Sequence, residues 1–153
     1  MNYGITVALL RRAPIFASME TGALKLLAFS STYLTVDDGE IICHEGDPPD
    51  GVYVIDEGRV QVSVERGSTQ ATVAVVGPHE VVGEIAVILN QSRTATLTAL
   101  GPVRLVKIDA DIFLSTVTGN PDSALGVLRT LCARLSAMLQ RYEDLSRRMD
   151  DAI

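Results

Sequence analysis

The sequence predicts a mainly β domain, a jelly-roll-like β-roll with helices on both sides of it. Three observations support this fold class. Residues 1–35 show helical spacing, residues 36–108 hold short apolar runs separated by turn signals, and residues 109–153 return to helical spacing. Many short strands at regular spacing are typical of a sandwich or jelly roll. Because 153 residues suit one domain, we expect residues 1–153 to form a single unit.

The first zone is predicted to contain at least two short helices. Leu24, Leu27 and Ala28 have the i, i+3, i+4 spacing of an apolar helix face. Pro14 breaks any single long helix in this zone.

The central zone is predicted to consist of strands. Val60, Val62 and Val64 alternate with polar residues, which is the period of a half-buried strand. Turns rich in glycine and proline separate this run from further β-rich segments, which lie at 41–42, 53–55, 73–76, 94–100 and 103–108.

The last zone is predicted to hold two helices. Asp109 or Asp111 can cap the first, and Asn120 followed by Pro121 can start the second. Apolar residues then recur at 3-4 spacing, at Leu125, Leu128, Cys132, Leu135, Leu139, Tyr142 and Met149. This stripe predicts a homodimer through a coiled coil, with Cys132 buried in it, although its first half could pack on the strands instead.

Composition excludes several classes of function. The chain is 47% hydrophobic and 21% charged, with a formal net charge of -6, which argues against nucleic acid as a partner. No apolar run is long enough to span a membrane, and no export signal is visible, so we expect a cytoplasmic protein. His44 and His79 are the only histidines and form no metal or catalytic pattern. We therefore expect no metal, no cofactor and no enzymatic activity.

The segment from Gly83 to Thr96 has the residues to hold a phosphate. It reads as a short apolar helix inserted among strands, with a glycine at its start and Arg93 just beyond a polar turn. Gly83 would let a ligand approach the backbone closely, and Arg93 could pair with phosphate oxygens. Glu84 could accept hydrogen bonds from ribose hydroxyls. The alternative is a surface turn with an ordinary Arg–Glu ion pair.

This segment resembles the phosphate-binding cassette of the cyclic nucleotide-binding domain family, which includes kinase regulatory subunits, nucleotide-gated channels and the bacterial catabolite activator. The matching residues are Gly83, Glu84, Ala86, Arg93, Thr94 and Ala95. Further similarity extends over roughly residues 9–140, including 39–42, 45–47 and 53–55. The sequence departs from the family at Val82, where an aromatic residue is usual, and at His79, where many members have glycine.

The resemblance implies a division of roles around the ligand. Arg93 would neutralise the phosphate, with amides near Ala86 and Thr94 holding its other oxygens and the neighbouring Ile85 and Ala95 completing this part of the site. Glu84, next to Gly83, would bind the ribose 2′-hydroxyl.

The resemblance also implies that the base rests on strand residues and under the C-terminal helix. The candidates for the base are Val73, Val75, Thr94, Leu131 and Leu135, with Met138 as a further residue of the closing helix. Each of these apolar residues could equally belong to the core or to a dimer seam.

The resemblance therefore predicts a non-catalytic regulatory sensor for cAMP or cGMP, with cAMP slightly favoured, acting on an unknown protein effector. Two alternatives stay open. The chain could be a dimeric interaction module that works without nucleotide, or a fragment of a transcription regulator or channel.

Overall fold

The computed structural model describes residues 3–152 and confirms the predicted fold class, a largely antiparallel β-roll with flanking helices. In chain order the elements are α1 (Tyr3–Arg12), a short 3-10 helix (Pro14–Phe16), α2 (Thr21–Ser30), β1 (Thr32–Val36), β2 (Ile41–Cys43), β3 (Gly51–Arg66), β4 (Thr69–Val76), β5 (Val81–Val82), α3 (Glu84–Leu89), β6 (Thr96–Asp109), α4 (Ala110–Thr118) and α5 (Pro121–Asp151).

The N-terminal zone follows the prediction except at its end. Pro14 separates α1 from α2 and starts the short 3-10 helix. The strand region, however, begins at Thr32, four residues before the predicted boundary. The run from Thr32 to Val36 is β-branched or aromatic at most positions, and it pairs antiparallel with β6 from Lys107 to Val103.

Strands β3 and β6 form the central pair of strands in the roll. They pair antiparallel from Gly51 opposite Asp109 to Ser63 opposite Thr96, with the register shifting between Ile55 and Arg59. At that shift Gly58 has φ 95°, and a Cβ there would lie 2.4 Å from the Pro102 carbonyl oxygen. Only glycine fits this bend, which lets two long strands fold over and build both layers of the roll.

Alternation along β3 supplies two separate cores. Val52 and Val54 face the core formed with the helices, where Phe16 and Phe113 meet edge to face. Tyr53 and Ile55 face the core inside the roll. Successive strand residues point to opposite faces, so β3 lies against the helices on one side and against the roll interior on the other.

The C-terminal helices begin where the sequence indicates. The Asp109 carboxylate caps α4, and the Asn120 side chain caps α5. The first turns of α5 pack into the helical core through Val127. Further along, the helix extends beyond the core, so Cys132, predicted to be buried in the stripe, is exposed within the single chain.

Within residues 3–152, no helix combines the length and the hydropathy that a membrane span requires.

Candidate ligand-binding site

A cavity of about 430 Å³ opens between the roll, α3 and α5. Its size is in the range of small-molecule sites. The roll contributes mainly apolar residues, α3 and the segment after it contribute the predicted phosphate-binding residues, and α5 contributes one side of the wall. The α5 residues are Arg134, Ala137, Met138 and Arg141, and the roll residues include Cys43, Val62, Ala74, Val76, Val82 and Leu97.

Gly83 lies directly against the guanidinium of Arg93. Its φ is 85°, and a Cβ at this position would lie 2.5 Å from Nη1 of Arg93. Both the backbone conformation and the space therefore require glycine here. The Gly83 carbonyl oxygen in turn accepts a hydrogen bond of 3.0 Å from Arg93 Nη1.

Arg93 is a buried guanidinium with one nitrogen that has no hydrogen-bond partner. Its Nη2 donates to the Gly51 carbonyl oxygen at 2.6 Å and to Asp50 Oδ1 at 3.0 Å, and the group lies 5.3 Å from the centre of the Tyr53 ring. Its Nε is buried and has no hydrogen-bond partner. An unpaired buried donor on a charged group is costly, so this atom marks a position where an anion would be stabilised.

Backbone hydrogen bonds fix where the Arg93 side chain starts. The Arg93 N–H donates to the Asp47 carbonyl oxygen, and the Gly46 N–H donates to the Arg93 carbonyl oxygen, both at 2.8 Å. The turn before β3 therefore holds the polar loop that follows α3, and the guanidinium reaches the cavity wall from a rigid base.

Glu84 is a buried carboxylate that contacts α5. Its Oε1 accepts a hydrogen bond of 2.6 Å from Arg134 Nη1, although the Glu84 side chain is only 5% exposed. Burial raises the pKa of the Glu84 carboxyl above its ordinary value, while a hydrogen bond to its own backbone and the charge of Arg134 act in the opposite direction.

The charges that line the cavity favour a small anion. Three arginines and two glutamates contribute to its wall, namely Arg93, Arg134, Arg141, Glu80 and Glu84. Their balance is one positive charge, which complements a ligand that carries one negative charge.

The structure brings together every residue predicted for the phosphate and ribose. Gly83, Glu84, Ile85, Ala86, Arg93, Thr94 and Ala95 all line the cavity.

The residues predicted for the base are placed differently, apart from Thr94. Val73 and Val75 are about half exposed, and the strand presents its alternate residues Ala74 and Val76 to the cavity instead. Leu131 packs against the helical core, and Leu135 is exposed on α5.

Sequence reasoning missed Arg134, the residue of α5 that contacts the cassette segment. The signal that could have found it is the helical spacing of Arg134, Ala137, Met138 and Arg141, which places all four on one face. The apolar 3-4 stripe, on which the prediction for this helix relied, lies on the adjacent face of α5.

The two departures from the family pattern are accommodated. Val82 is buried in β5, opposite Tyr53 of β3. His79 has φ 71°, in the left-handed region where glycine is favoured, and its N–H donates to the Ile55 carbonyl oxygen at 2.7 Å.

In the part of the chain that the structure describes, no group of three or more His, Cys, Asp or Glu side chains could hold a metal ion.

Comparisons with known proteins agree with this geometry. The family model described as "Cyclic nucleotide-binding domain" matches residues 33–120, more than half of the chain. In structure, the chain is similar to the N-terminal domain of a transcriptional regulator from Streptomyces coelicolor, with a TM-score of 0.70 and 32% identity, over 88% of this chain and 94% of that one.

Two curated relatives are larger proteins. The CRP-like cAMP-activated global transcriptional regulator of Mycobacterium tuberculosis is 28% identical over 138 residues, which are 90% of this chain and 62% of that protein. Lysophospholipase nte1 of Neosartorya fischeri is 29% identical over 136 residues, 88% of this chain and 9% of that protein. The chain thus spans less than two thirds of either relative.

The pKa of Glu84 leads to a prediction about stability. A raised pKa means that the folded protein binds this proton more tightly than the unfolded chain does, so ionisation costs stability as pH rises through the two values. The variant Glu84→Gln lacks this cost. Urea unfolding should therefore show the free energy of unfolding of the variant, relative to the parent, increasing from about pH 4 to about pH 7.

Glu57→Gln is the matched control with the opposite sign. A hydrogen bond from Arg104 holds the pKa of the exposed Glu57 carboxyl below its ordinary value. Its contribution to stability is present above the ordinary pKa and is lost as pH falls, so the variant-minus-parent difference should decrease with rising pH. A difference for Glu84→Gln that does not change with pH would contradict the account of this carboxylate.

Proposed function

Because the chain belongs to the cyclic nucleotide-binding domain family, we propose that it binds a cyclic nucleotide, with cAMP slightly favoured over cGMP, and acts as a non-catalytic regulatory sensor. The observation that carries this proposal is the buried guanidinium of Arg93, a residue that lines the cavity and whose Nε has no hydrogen-bond partner. A cyclic phosphodiester supplies a single negative charge and an oxygen acceptor for that atom.

The cavity has a place for each polar part of such a ligand. The phosphate would lie against Arg93 and the backbone of Ile85, Ala86, Thr94 and Ala95. The ribose 2′-hydroxyl would donate to the oxygen of Glu84 that Arg134 does not use. The base would extend along the apolar wall, for which the strand residues Ala74 and Val76 are better placed than Val73 and Val75.

The slight preference for cAMP rests on a relative, because the role of Thr94 does not decide between the two nucleotides. The Mycobacterium tuberculosis relative is named as cAMP-activated. Thr94 lines the cavity, where its hydroxyl could face the phosphate of either nucleotide or the amino group of guanine. A contact between the Thr94 hydroxyl and the phosphate would be the same for both nucleotides. The preference for cAMP therefore rests on the similarity to this relative.

Arg93→Ala tests the phosphate contact directly. Removing a buried charge that pairs with the ligand should weaken cyclic nucleotide binding by about 2–4 kcal/mol. Isothermal titration calorimetry with cAMP and with cGMP, on the parent and the variant, measures this loss and the preference together. Arg93→Lys keeps the charge but loses the fork of donors, and it should bind with intermediate affinity.

Arg104→Ala is the control, because Arg104 is an exposed arginine that pairs with Glu57 away from the cavity. Its affinity should equal that of the parent, and circular dichroism should show that all variants remain folded. Parent protein that binds neither nucleotide, or an Arg93→Ala variant with unchanged affinity, would refute the proposal.

The C-terminal helix is in a position to report occupancy of the site. Arg134 already holds Glu84, and Ala137 and Met138 form part of the same wall. A ligand that contacts Glu84 and this wall would interact differently with α5 in two positions, which is the requirement for a ligand to shift a conformational equilibrium. We therefore propose that α5 closes on the ligand when the site is occupied.

Hydrogen exchange tests this closure. Adding the nucleotide should slow amide exchange in α5 around residues 134–141, since those turns gain contacts, whereas α1 should exchange at the same rate because it lies away from the cavity. The same experiment on Arg93→Ala provides the control for binding. Unchanged exchange throughout α5 in saturated parent protein would exclude closure.

A second candidate role is dimerisation through α5, and the exposed face of that helix favours it. The residues Leu128, Leu135, Leu139, Tyr142 and Met149 are all exposed at heptad spacing. Such a stripe is the pattern of a coiled-coil seam. It is compatible with a sensor that acts as a dimer and with a dimeric module that works without nucleotide, and calorimetry separates the two.

Leu139→Glu tests the seam. A charge at an apolar seam position should shift the protein from dimer to monomer in analytical ultracentrifugation, because the carboxylate would have to be buried. Gln140→Glu adds the same charge at the adjacent position outside the stripe, and it should leave the dimer intact. Parent protein that sediments as a monomer, or equal behaviour of the two variants, would contradict the dimer.

We also propose that the protein acts in the cytoplasm. Cys43 and Cys132 are both free, which supports a reducing, cytoplasmic environment. The downstream effector would be a protein, and the larger relatives leave open that this sensor operates within a longer regulator or channel.

A further inference from the structure

Two charged residues lie next to Arg93 without lining the cavity. Asp50 accepts from Arg93 Nη2 through Oδ1 at 3.0 Å and from Lys107 Nζ through Oδ2 at 2.7 Å. Both cations also lie over the Tyr53 ring, at 5.3 Å for the Arg93 guanidinium and 5.8 Å for the Lys107 ammonium. One carboxylate and one aromatic ring are thus shared between two cations.

The backbone holds Lys107 rigidly in this position. In the ladder between β3 and β6, Lys107 is the direct partner of Tyr53. Its aliphatic stem packs on Gly51, where a Cβ would lie 2.9 Å from Cε of the lysine. The carbonyl oxygen of the same Gly51 accepts from Arg93 at 2.6 Å. Lys107 and Arg93 therefore contact the same short piece of β3.

The charges of Arg93, Asp50 and Lys107 indicate a role for the lysine. Asp50 orients Arg93 but also offsets its charge, and an arginine fully paired with a carboxylate attracts an anion weakly. Lys107 takes one of the two carboxylate oxygens, so the three groups together carry one positive charge. Partial burial acts to raise the pKa of Asp50, but hydrogen bonds from Lys107 and Arg93 outweigh it and keep the carboxyl ionised.

We propose that Lys107 is a positioning residue of the phosphate site, which shares Asp50 with Arg93 so that the carboxylate orients the guanidinium toward the ligand and offsets only part of its positive charge. This inference rests on the proposed function, because it assigns a role within the same site. Lys107 does not touch the ligand. It acts through Asp50, so its effect on binding depends on the carboxylate at position 50.

A double-mutant cycle tests this dependence. Lys107→Met should weaken cyclic nucleotide binding roughly three- to tenfold, a moderate effect because Asp50 is partly exposed to solvent. In an Asp50→Asn background the same Lys107→Met change should alter affinity less than about twofold, since no carboxylate remains to be shared. Calorimetry at about 0.15 M salt keeps the long-range effect of the lysine charge small.

Conservative rescue and a matched control separate this role from a structural one. Lys107→Arg should bind within about twofold of the parent, because it keeps the charge and the donor to Asp50. Arg104→Met removes a cation from the same strand and should leave affinity unchanged. Thermal melts identify any unfolded variant, and Lys107→Gln then replaces Lys107→Met in the cycle.

Each outcome decides the inference. Equal losses from Lys107→Met in the two backgrounds, or no loss in the parent background, would overturn it. If Arg93→Ala weakens binding while Lys107→Met does not, the inference fails and the proposed function stands. If Arg93→Ala also leaves affinity unchanged, the proposed function itself fails.

Discussion

The site depends on one buried guanidinium held by the main chain. Arg93 donates to the carbonyl oxygens of Gly51 and Gly83, which come from the start of β3 and from the residue before α3. These bonds join two segments that are far apart in sequence, and they leave Nε without a hydrogen-bond partner. The same contacts thus stabilise the fold locally and orient the charge, because a buried arginine without acceptors would be too costly to retain.

The neighbouring carboxylate shows that the site is not optimised for stability. Glu84 is buried at the start of α3, and its pKa is raised because water is excluded. The ion pair with Arg134 only partly offsets this cost, since the arginine is itself partly exposed. A neutral residue would suit the fold better, whereas a carboxylate offers an acceptor to a ligand hydroxyl. The tension is typical of residues kept for binding.

The sequence was sufficient for the local features and insufficient for contacts between distant elements. Alternating valines, capping residues and Pro14 predicted strands, helix starts and a break, because each of these signals acts over a few residues. The cassette residues were found because they lie close together in the chain. Asp50, which matches the family pattern, and Arg134 were not identified as partners of the cassette, because their contacts depend on how β3 and α5 pack against it. The base wall was misplaced by one residue on β4, since the pattern Val73 to Val76 is apolar on both faces.

The long C-terminal helix has a mechanical consequence. Ser123 and Val127 anchor its first turns in the core, Arg134 touches the cassette, residues 137–141 border the cavity, and the helix then continues, exposed to solvent, to Asp151. At 1.5 Å per residue, Arg134 lies about 10 Å and Met149 about 33 Å beyond Val127. If α5 pivots at Val127, a displacement of the helix at Arg134 becomes about threefold larger at Met149. A displacement of one ångström at the ligand would then move the far end by roughly three.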